Sequence, residues 1–241
     1  MRLDLYLSER GLAASRSEAK RLISDGSVSL DGKVILKPAF DVSGFEEKIK
    51  VEHTNSFASR GGLKLDAALD YFKVDCDGRL CLDIGASSGG FTDCLLSRGA
   101  RHVIAVDSGS GQLIQRLLSD IRVTSIENYN ARYMKSDDFE YVPTLAVMDV
   151  SFISATYIIE PLSSVLASGS EFICLIKPQF EVGRGGVSKG GIVKDEKMRN
   201  LAVKKVVDFA AQNGFVNRGV IESPIKGGDG NIEFLACFER I

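Results

Sequence analysis

The sequence predicts an α/β fold, a mostly parallel, doubly wound sheet with an antiparallel last strand, preceded by a small α+β domain. Three observations carry that expectation. Beyond about residue 61, apolar runs of strand length alternate with stretches of helix length. One run leads directly into a glycine-rich turn and a helix, and the last two runs are joined by a loop too short for a crossover helix.

The small domain comes first, over residues 1–54. Leu3, Leu5, Tyr6 and Leu7 read as a short helix, and Ala19, Leu22 and Ile23 as a second one. Ser15 stands where it caps that second helix, with Glu18 at the capping-box spacing. Asp31-Gly32 then reads as a hairpin turn between Val28–Leu30 and Val34–Leu36. Residues 55–60 are small and polar, as suits a linker.

The second domain, residues 61–241, opens with Gly61-Gly62 and a helix carrying Leu63, Leu65, Ala68, Leu69 and Phe72. Strands are expected near Leu80–Ile84, Val103–Val106, Val123–Ile126, Leu145–Met148 and Phe172–Ile176, with helices between them. Phe215–Ile221 and Glu233–Phe238 should pair antiparallel.

Bulk composition narrows the function. The 241 residues carry 30 Lys and Arg against 32 Asp and Glu, so attraction to a polyanion has to come from a local patch. The five cysteines (Cys76, Cys81, Cys94, Cys174 and Cys237) are scattered and read as reduced thiols rather than as a zinc site, so no metal is expected. No apolar run approaches the roughly 20 residues that span a bilayer, and a cytoplasmic protein without membrane contact is expected.

The run Leu80-Cys-Leu-Asp-Ile-Gly-Ala-Ser-Ser-Gly-Gly-Phe91 reads strand, turn, helix. Dinucleotide folds place glycine at the first, third and sixth positions of this turn so that backbone can approach a pyrophosphate, and here the third position is Ser87. That departure favours a ligand without pyrophosphate, and S-adenosylmethionine fits. Asp83, Gly85, Ala86, Ser87, Gly89, Gly90 and Phe91 are the candidate contacts at the turn. Asp107 closes the next strand, where a carboxylate accepts ribose hydroxyls, Asn130 would border the adenine, and Asp149 would lie at the reacting end. A nicotinamide-dependent enzyme stays open as an alternative.

Four further residues have unusual settings. Asp149 and Lys177 directly follow apolar strands, at the sheet edge where doubly wound folds bind ligands. Lys64 sits in Ser59-Arg-Gly-Gly-Leu-Lys-Leu65, and Glu233 interrupts an apolar terminal strand. Each alone has an ordinary explanation as a helix cap or a surface charge. Arg16, Lys20 and Arg21 project from one side of the second helix and, with Arg2 and Arg10, are candidate phosphate contacts. Arg60 joins them from the linker. The glycine-rich stretch 181–194 reads as an RNA-facing lid carrying Arg184, Lys189 and Lys194, and it lacks the Gly-Lys-Ser/Thr ending of a phosphate loop.

These segments together resemble the TlyA family, within the FtsJ-like group of RNA 2′-O-methyltransferases. The resemblance spans nearly the whole chain. It rests on Ser-Arg-Gly-Gly-Leu-Lys-Leu, Asp-Ile-Gly-Ala-Ser-Ser-Gly-Gly-Phe-Thr-Asp, Asp-Val-Ser-Phe-Ile-Ser and Leu-Ile-Lys-Pro-Gln-Phe-Glu. It implies a Rossmann-like class I methyltransferase sheet behind an S-four type RNA-binding domain, and S-adenosylmethionine as cofactor. It also implies a catalytic tetrad on Lys64, Asp149, Lys177 and Glu233. The implied substrate is cytidine in ribosomal RNA of the small subunit, the large subunit or both. A noncatalytic ribosome-associated factor that retains the fold is the alternative from another class. A monomer is favoured over an oligomer.

Overall fold

The computed structural model describes residues 1–13, 15–24, 26–51, 57–188, 190–227 and 229–241, without the side chains of Glu18, Arg21, Ser24 and Arg184. Two compact units make up the chain, residues 1–56 and 57–241. Among the described residues no helix is long and apolar enough to cross a membrane.

In the first unit, helices α1 (Leu3–Glu9) and α2 (Arg16–Ser24) pack on strands β1 (Val28–Leu30), β2 (Lys33–Val34) and β3 (Ile49–Val51), ordered β2-β1-β3 and antiparallel throughout. Leu3, Leu7, Ala19, Leu22, Ile23 and Val28 form its core. Asp31 and Gly32 both adopt left-handed backbone (φ 49° and 77°), as a tight hairpin requires. The second arm stops at Val34, short of the expected Leu36. Just beyond it the chain turns to serve α1, since Pro38 and Phe40 carbonyls accept the Asp4 and Leu3 amides. The capping box expected of Ser15 falls on Glu18, whose side chain lies outside the described residues.

The second unit comprises α3 (Gly61–Phe72), β4 (Leu80–Ile84), α4 (Gly90–Ser97), β5 (His102–Val106), α5 (Gln115–Leu118), β6 (Val123–Ile126) and β7 (Leu145–Met148). It continues with α6 (Thr156–Val165), β8 (Glu171–Ile176), α7 (Pro178–Glu181), α8 (Glu196–Gln212), β9 (Phe215–Glu222) and β10 (Phe234–Arg240). The sheet order is β6-β5-β4-β7-β8-β10-β9. All neighbours are parallel except β10, which inserts antiparallel between β8 and β9.

Period-two alternation along β4 feeds both faces of this sheet. Leu82 and Ile84 join the core built with α6 and α8, while Cys81 faces the core built with α3 and α4. Strand order reverses between β4 and β7, so a crevice opens beyond their carboxyl ends, where ligands bind in such sheets. Phe57–Arg60, read from sequence as linker, are part of this unit: the Ala58 amide donates to Asp93 Oδ2 at 2.6 Å. All five cysteines are buried and free.

Candidate active site

The glycine-rich turn leaves β4 with Gly85 at φ +84°, and a Cβ there would lie 2.5 Å from the Asp149 carbonyl oxygen. Only glycine lets the turn pass so close to the end of β7. Ser87 holds the third position at φ 47°, a left-handed conformation uncommon for a side-chain-bearing residue, and its amide donates to Asp107 Oδ2 at 2.8 Å. The Gly109 amide donates to Asp107 Oδ1 at 2.7 Å. Both Asp107 oxygens therefore already accept one backbone amide, which fixes the carboxylate and leaves their second lone pairs for a ligand.

A cavity of about 380 Å³ opens at this crevice. Gly85, Ser87, Asp107, Asn130 and Asp149 line it, as do Gln112, Tyr129 and the Val150–Ile153 loop, which sequence reading did not select. Other residues expected at the ligand lie behind the wall. Ala86 and Phe91 are core residues, and Phe91 is turned inward by the first turn of α4. Gly89 and Gly90 have no room for a side chain: a Cβ at Gly89 would overlap Leu117, and one at Gly90 would overlap Ser59.

Asp83 is also behind the wall. Fully buried on the α4 side of β4, it accepts the Thr92 hydroxyl at 2.6 Å through Oδ2, and Oδ1 has no hydrogen-bond partner among the described residues. Burial pushes its carboxyl up to about 7, against the Thr92 hydrogen bond and aided by the Asp149 and Asp107 charges.

One ion pair lies at the cavity and a second at the same sheet edge. The Lys177 ammonium sits 2.5 Å from Asp149 Oδ1 and donates to Ser151 Oγ at 2.7 Å. The contact to Asp149 is one of charge, since Oδ1 lacks a hydrogen bond of good angle; the hydroxyl takes the directed bond. Lys64 donates to Glu233 Oε2 at 2.6 Å, with both side chains buried. Strand register brings the two pairs to one sheet edge. The ladder between β8 and β10 ends at Ile176 opposite Phe234, so the next residues outward, Lys177 and Glu233, also face one another. Glu233 thus precedes β10 rather than interrupting it, because its side chain is drawn to Lys64.

The candidate phosphate contacts form a different pattern. Buried Asp4 accepts both Arg2 (Nε at 2.9 Å, Nη2 at 3.0 Å) and Arg16 (Nε at 3.0 Å), whose side chains are half-exposed. The Arg2 hydrogen bonds hold the Asp4 carboxyl far below the usual carboxylate range, with Arg16 adding to the effect. Arg10 lies over the Tyr6 ring, and Lys20 is exposed. Arg60 donates to the Lys226 carbonyl at 3.3 Å. The side chains of Arg21 and Arg184, and all of Lys189, lie outside the described residues. The lid expected over 181–194 is anchored at both ends: Glu181 is buried, and Asn231 accepts the Val193 amide and donates to the Gly191 carbonyl.

Residues 57–240 match the FtsJ-like methyltransferase family, and residues 1–48 match the S4 domain. The 16S/23S rRNA (cytidine-2′-O)-methyltransferase TlyA of Mycobacterium tuberculosis is 42% identical over 97% of this chain and 88% of its own length. This chain belongs to the TlyA family of FtsJ-like methyltransferases. Hemolysin A of Brachyspira hyodysenteriae, 43% identical over 99% of both chains, is a second relative of this TlyA-family protein. A solved structure of a candidate hemolysin from Streptococcus thermophilus superposes with a TM-score of 0.80 at 40% identity, covering 100% of this chain and 88% of that one. The TlyA-type sheet extends to more distant proteins as fold alone: an S-adenosylmethionine-dependent methyltransferase structure from Mesorhizobium loti, 15% identical, has a TM-score of 0.53.

Proposed function

We propose that this TlyA-family chain transfers a methyl group from S-adenosylmethionine to the ribose 2′-hydroxyl of cytidine in ribosomal RNA. The observation that carries the reading is the placement of two lysine–carboxylate pairs at one edge of a methyltransferase sheet, in a chain closely similar to a named cytidine-2′-O-methyltransferase. Bound S-adenosylmethionine supplies an electrophilic methyl on a sulfonium.

The cavity residues suit that group. Asp107 would hold the ribose hydroxyls, and Asn130 and Tyr129 would border the adenine. A pyrophosphate ligand suits the turn less well, because Ser87 stands in left-handed backbone where dinucleotide folds keep glycine.

A ribose hydroxyl is a weak nucleophile, so the chain's task is alignment and charge control. Lys177, steadied by Asp149 and Ser151, holds the developing alkoxide as an ammonium or, having first passed a proton to Asp149, takes the hydroxyl proton as a neutral amine. Lys64 and Glu233 fix the ribose and balance charge. The first unit, through Arg2, Arg16 and Lys20, holds structured RNA by its phosphates so that one nucleotide can be splayed into the crevice.

The test is transfer of labelled methyl to separate small and large ribosomal subunits lacking the modification, followed by nucleoside mass analysis. Formation of 2′-O-methylcytidine by the parent and not by Lys177→Ala is the expected result. A methylated base would overturn the ribose chemistry. Absence of transfer despite cofactor binding would favour a noncatalytic ribosome-associated factor.

A further inference from the structure

Two segments carry the Lys177–Asp149 pair, the loop following β7 (residues 149–155) and the segment following β8 (residues 177–181), which comprises Lys177 and helix α7. Three contacts join them in sequence order. Nearest the sheet, Lys177 meets Asp149 and Ser151. In the middle, the Phe152 and Phe180 rings lie 5.4 Å apart. Farthest out, the buried Glu181 carboxylate accepts the Ser154 hydroxyl at 2.5 Å, the Ala155 amide at 2.7 Å and the Lys205 ammonium at 2.9 Å.

The outermost contact has something to hold in place. Phe152 sits in left-handed backbone (φ +65°) with its ring 92% exposed, a conformation rare for an aromatic residue and stable only where its surroundings impose it. No burial of its own ring supplies that restraint. The hydrogen bonds at Ser154 and Ala155 do so, because they tie the loop at the start of α6, two and three residues beyond the strained position. Lys205, from α8, supplies the counter-charge that a buried carboxylate needs.

We infer that Glu181 is a positioning residue for the methyl-transfer site, clamping the loop after β7 to the segment after β8 so that Asp149 and Lys177 stay in register. The role rests on the methyltransferase reading only for its consequence for turnover; the clamp itself is a statement about loop order. Asp149 also sits against Gly85 through its backbone carbonyl, so a slackened loop would disturb the cofactor turn and the ion pair together. A displacement of about 1 Å at a reacting centre costs roughly 100-fold in rate.

The experiment uses the full chain with Glu181→Gln, Lys205→Met and their combination. Glutamine keeps the shape but turns an N–H₂ toward donors, so kcat should fall by about 10- to 100-fold. The double variant should be little slower than Glu181→Gln alone, since the shortest Lys205 contact is to the carboxylate and its bonds to the Glu181 carbonyl and the Ser154 hydroxyl are longer. Loop order is read separately. The chain has no tryptophan, so Phe152→Trp places a single emitter at the strained position, and its fluorescence anisotropy should drop when Glu181→Gln is added.

A merely structural Glu181 would lower the melting temperature while leaving both kcat of the folded fraction and the anisotropy unchanged, and that outcome overturns the inference. Should Glu181→Gln fail to fold, Ser154→Ala removes one donor without altering charge and should move both readouts in the same direction. The anisotropy needs no RNA. Lack of transfer by the parent enzyme would therefore tell against the proposed reaction, while the emitter still decides the clamp.

Discussion

The Lys64–Glu233 pair allows stability and catalysis to be separated. Both side chains are buried, at 9% and 3% exposure, and lie 2.6 Å apart. Removing one partner from such a pair leaves an uncompensated charge and costs about 3–5 kcal/mol. For a unit of this size, each 1 kcal/mol moves the melting temperature by roughly 2–4 °C, so Glu233→Gln or Lys64→Met should lower the transition of residues 57–241 by about 6–20 °C. Replacing both by methionine removes the attraction and the desolvation cost together, which is often neutral or stabilising by about 1–4 kcal/mol. The double variant should therefore recover most of the lost stability and still transfer methyl at least about 100-fold more slowly than the parent. Scanning calorimetry and labelled-methyl transfer on the same preparations check both halves. A double variant as unstable as the singles would refute the desolvation argument, and one that turns over normally would refute the role of the pair.

Other perturbations follow from the same structure. Asp83→Asn should flatten the pH dependence of stability: with a folded-state carboxyl near 7 and an unfolded one near 3.9, the parent is fully stabilised by this group only below about pH 4 and loses on the order of 4 kcal/mol by pH 7. Denaturant melts of both proteins at several pH values between 4 and 7.5 would show the difference growing with pH, and a constant difference would contradict it. Asp4→Asn removes a negative charge from the first unit yet should weaken RNA binding several-fold, because the two guanidinium groups lose the anchor that holds them side by side; tighter binding in a filter assay at fixed salt would argue that only net charge matters. Gly85→Ala should abolish stabilisation by S-adenosylmethionine in a thermal-shift assay, since a Cβ at φ +84° would press on the Asp149 carbonyl.

Much of the fold could be read in advance because its signals are local. Apolar runs marked β4, β6 and β7 to the residue, and the short loop before the last run predicted the antiparallel β10. The placement of Asp149 and Lys177 at strand ends followed from the same pattern. What escaped was set by long-range contact. Glu181 opened a glycine-rich stretch and read as part of a lid, yet its carboxylate is committed to Ser154 and Lys205, 27 and 24 residues away in sequence. Asp4 gave no signal at all, because a lone aspartate in a short helix looks solvent-facing until Arg16 is brought to it. Phe91 failed in the opposite way: it lies in the ligand motif, but helical geometry turns it into the core.

The matching of charge explains how four residues with individually ordinary settings are held as two ion pairs. An ammonium and a carboxylate each resist burial alone, and each lysine here is matched with one carboxylate drawn from a different element: Lys64 of α3 with Glu233 before β10, Lys177 after β8 with Asp149 after β7. The ladder between β8 and β10 ends at Ile176 opposite Phe234, so Lys177 and Glu233 leave the sheet at the same edge. In the proposed reaction Lys177 would stabilise the developing alkoxide, and its carboxylate partner holds it in place before substrate arrives. Substituting any one of the four residues leaves three charges that no longer balance, so loss of catalysis and loss of local order should accompany every single substitution. Only paired replacements can separate the two effects.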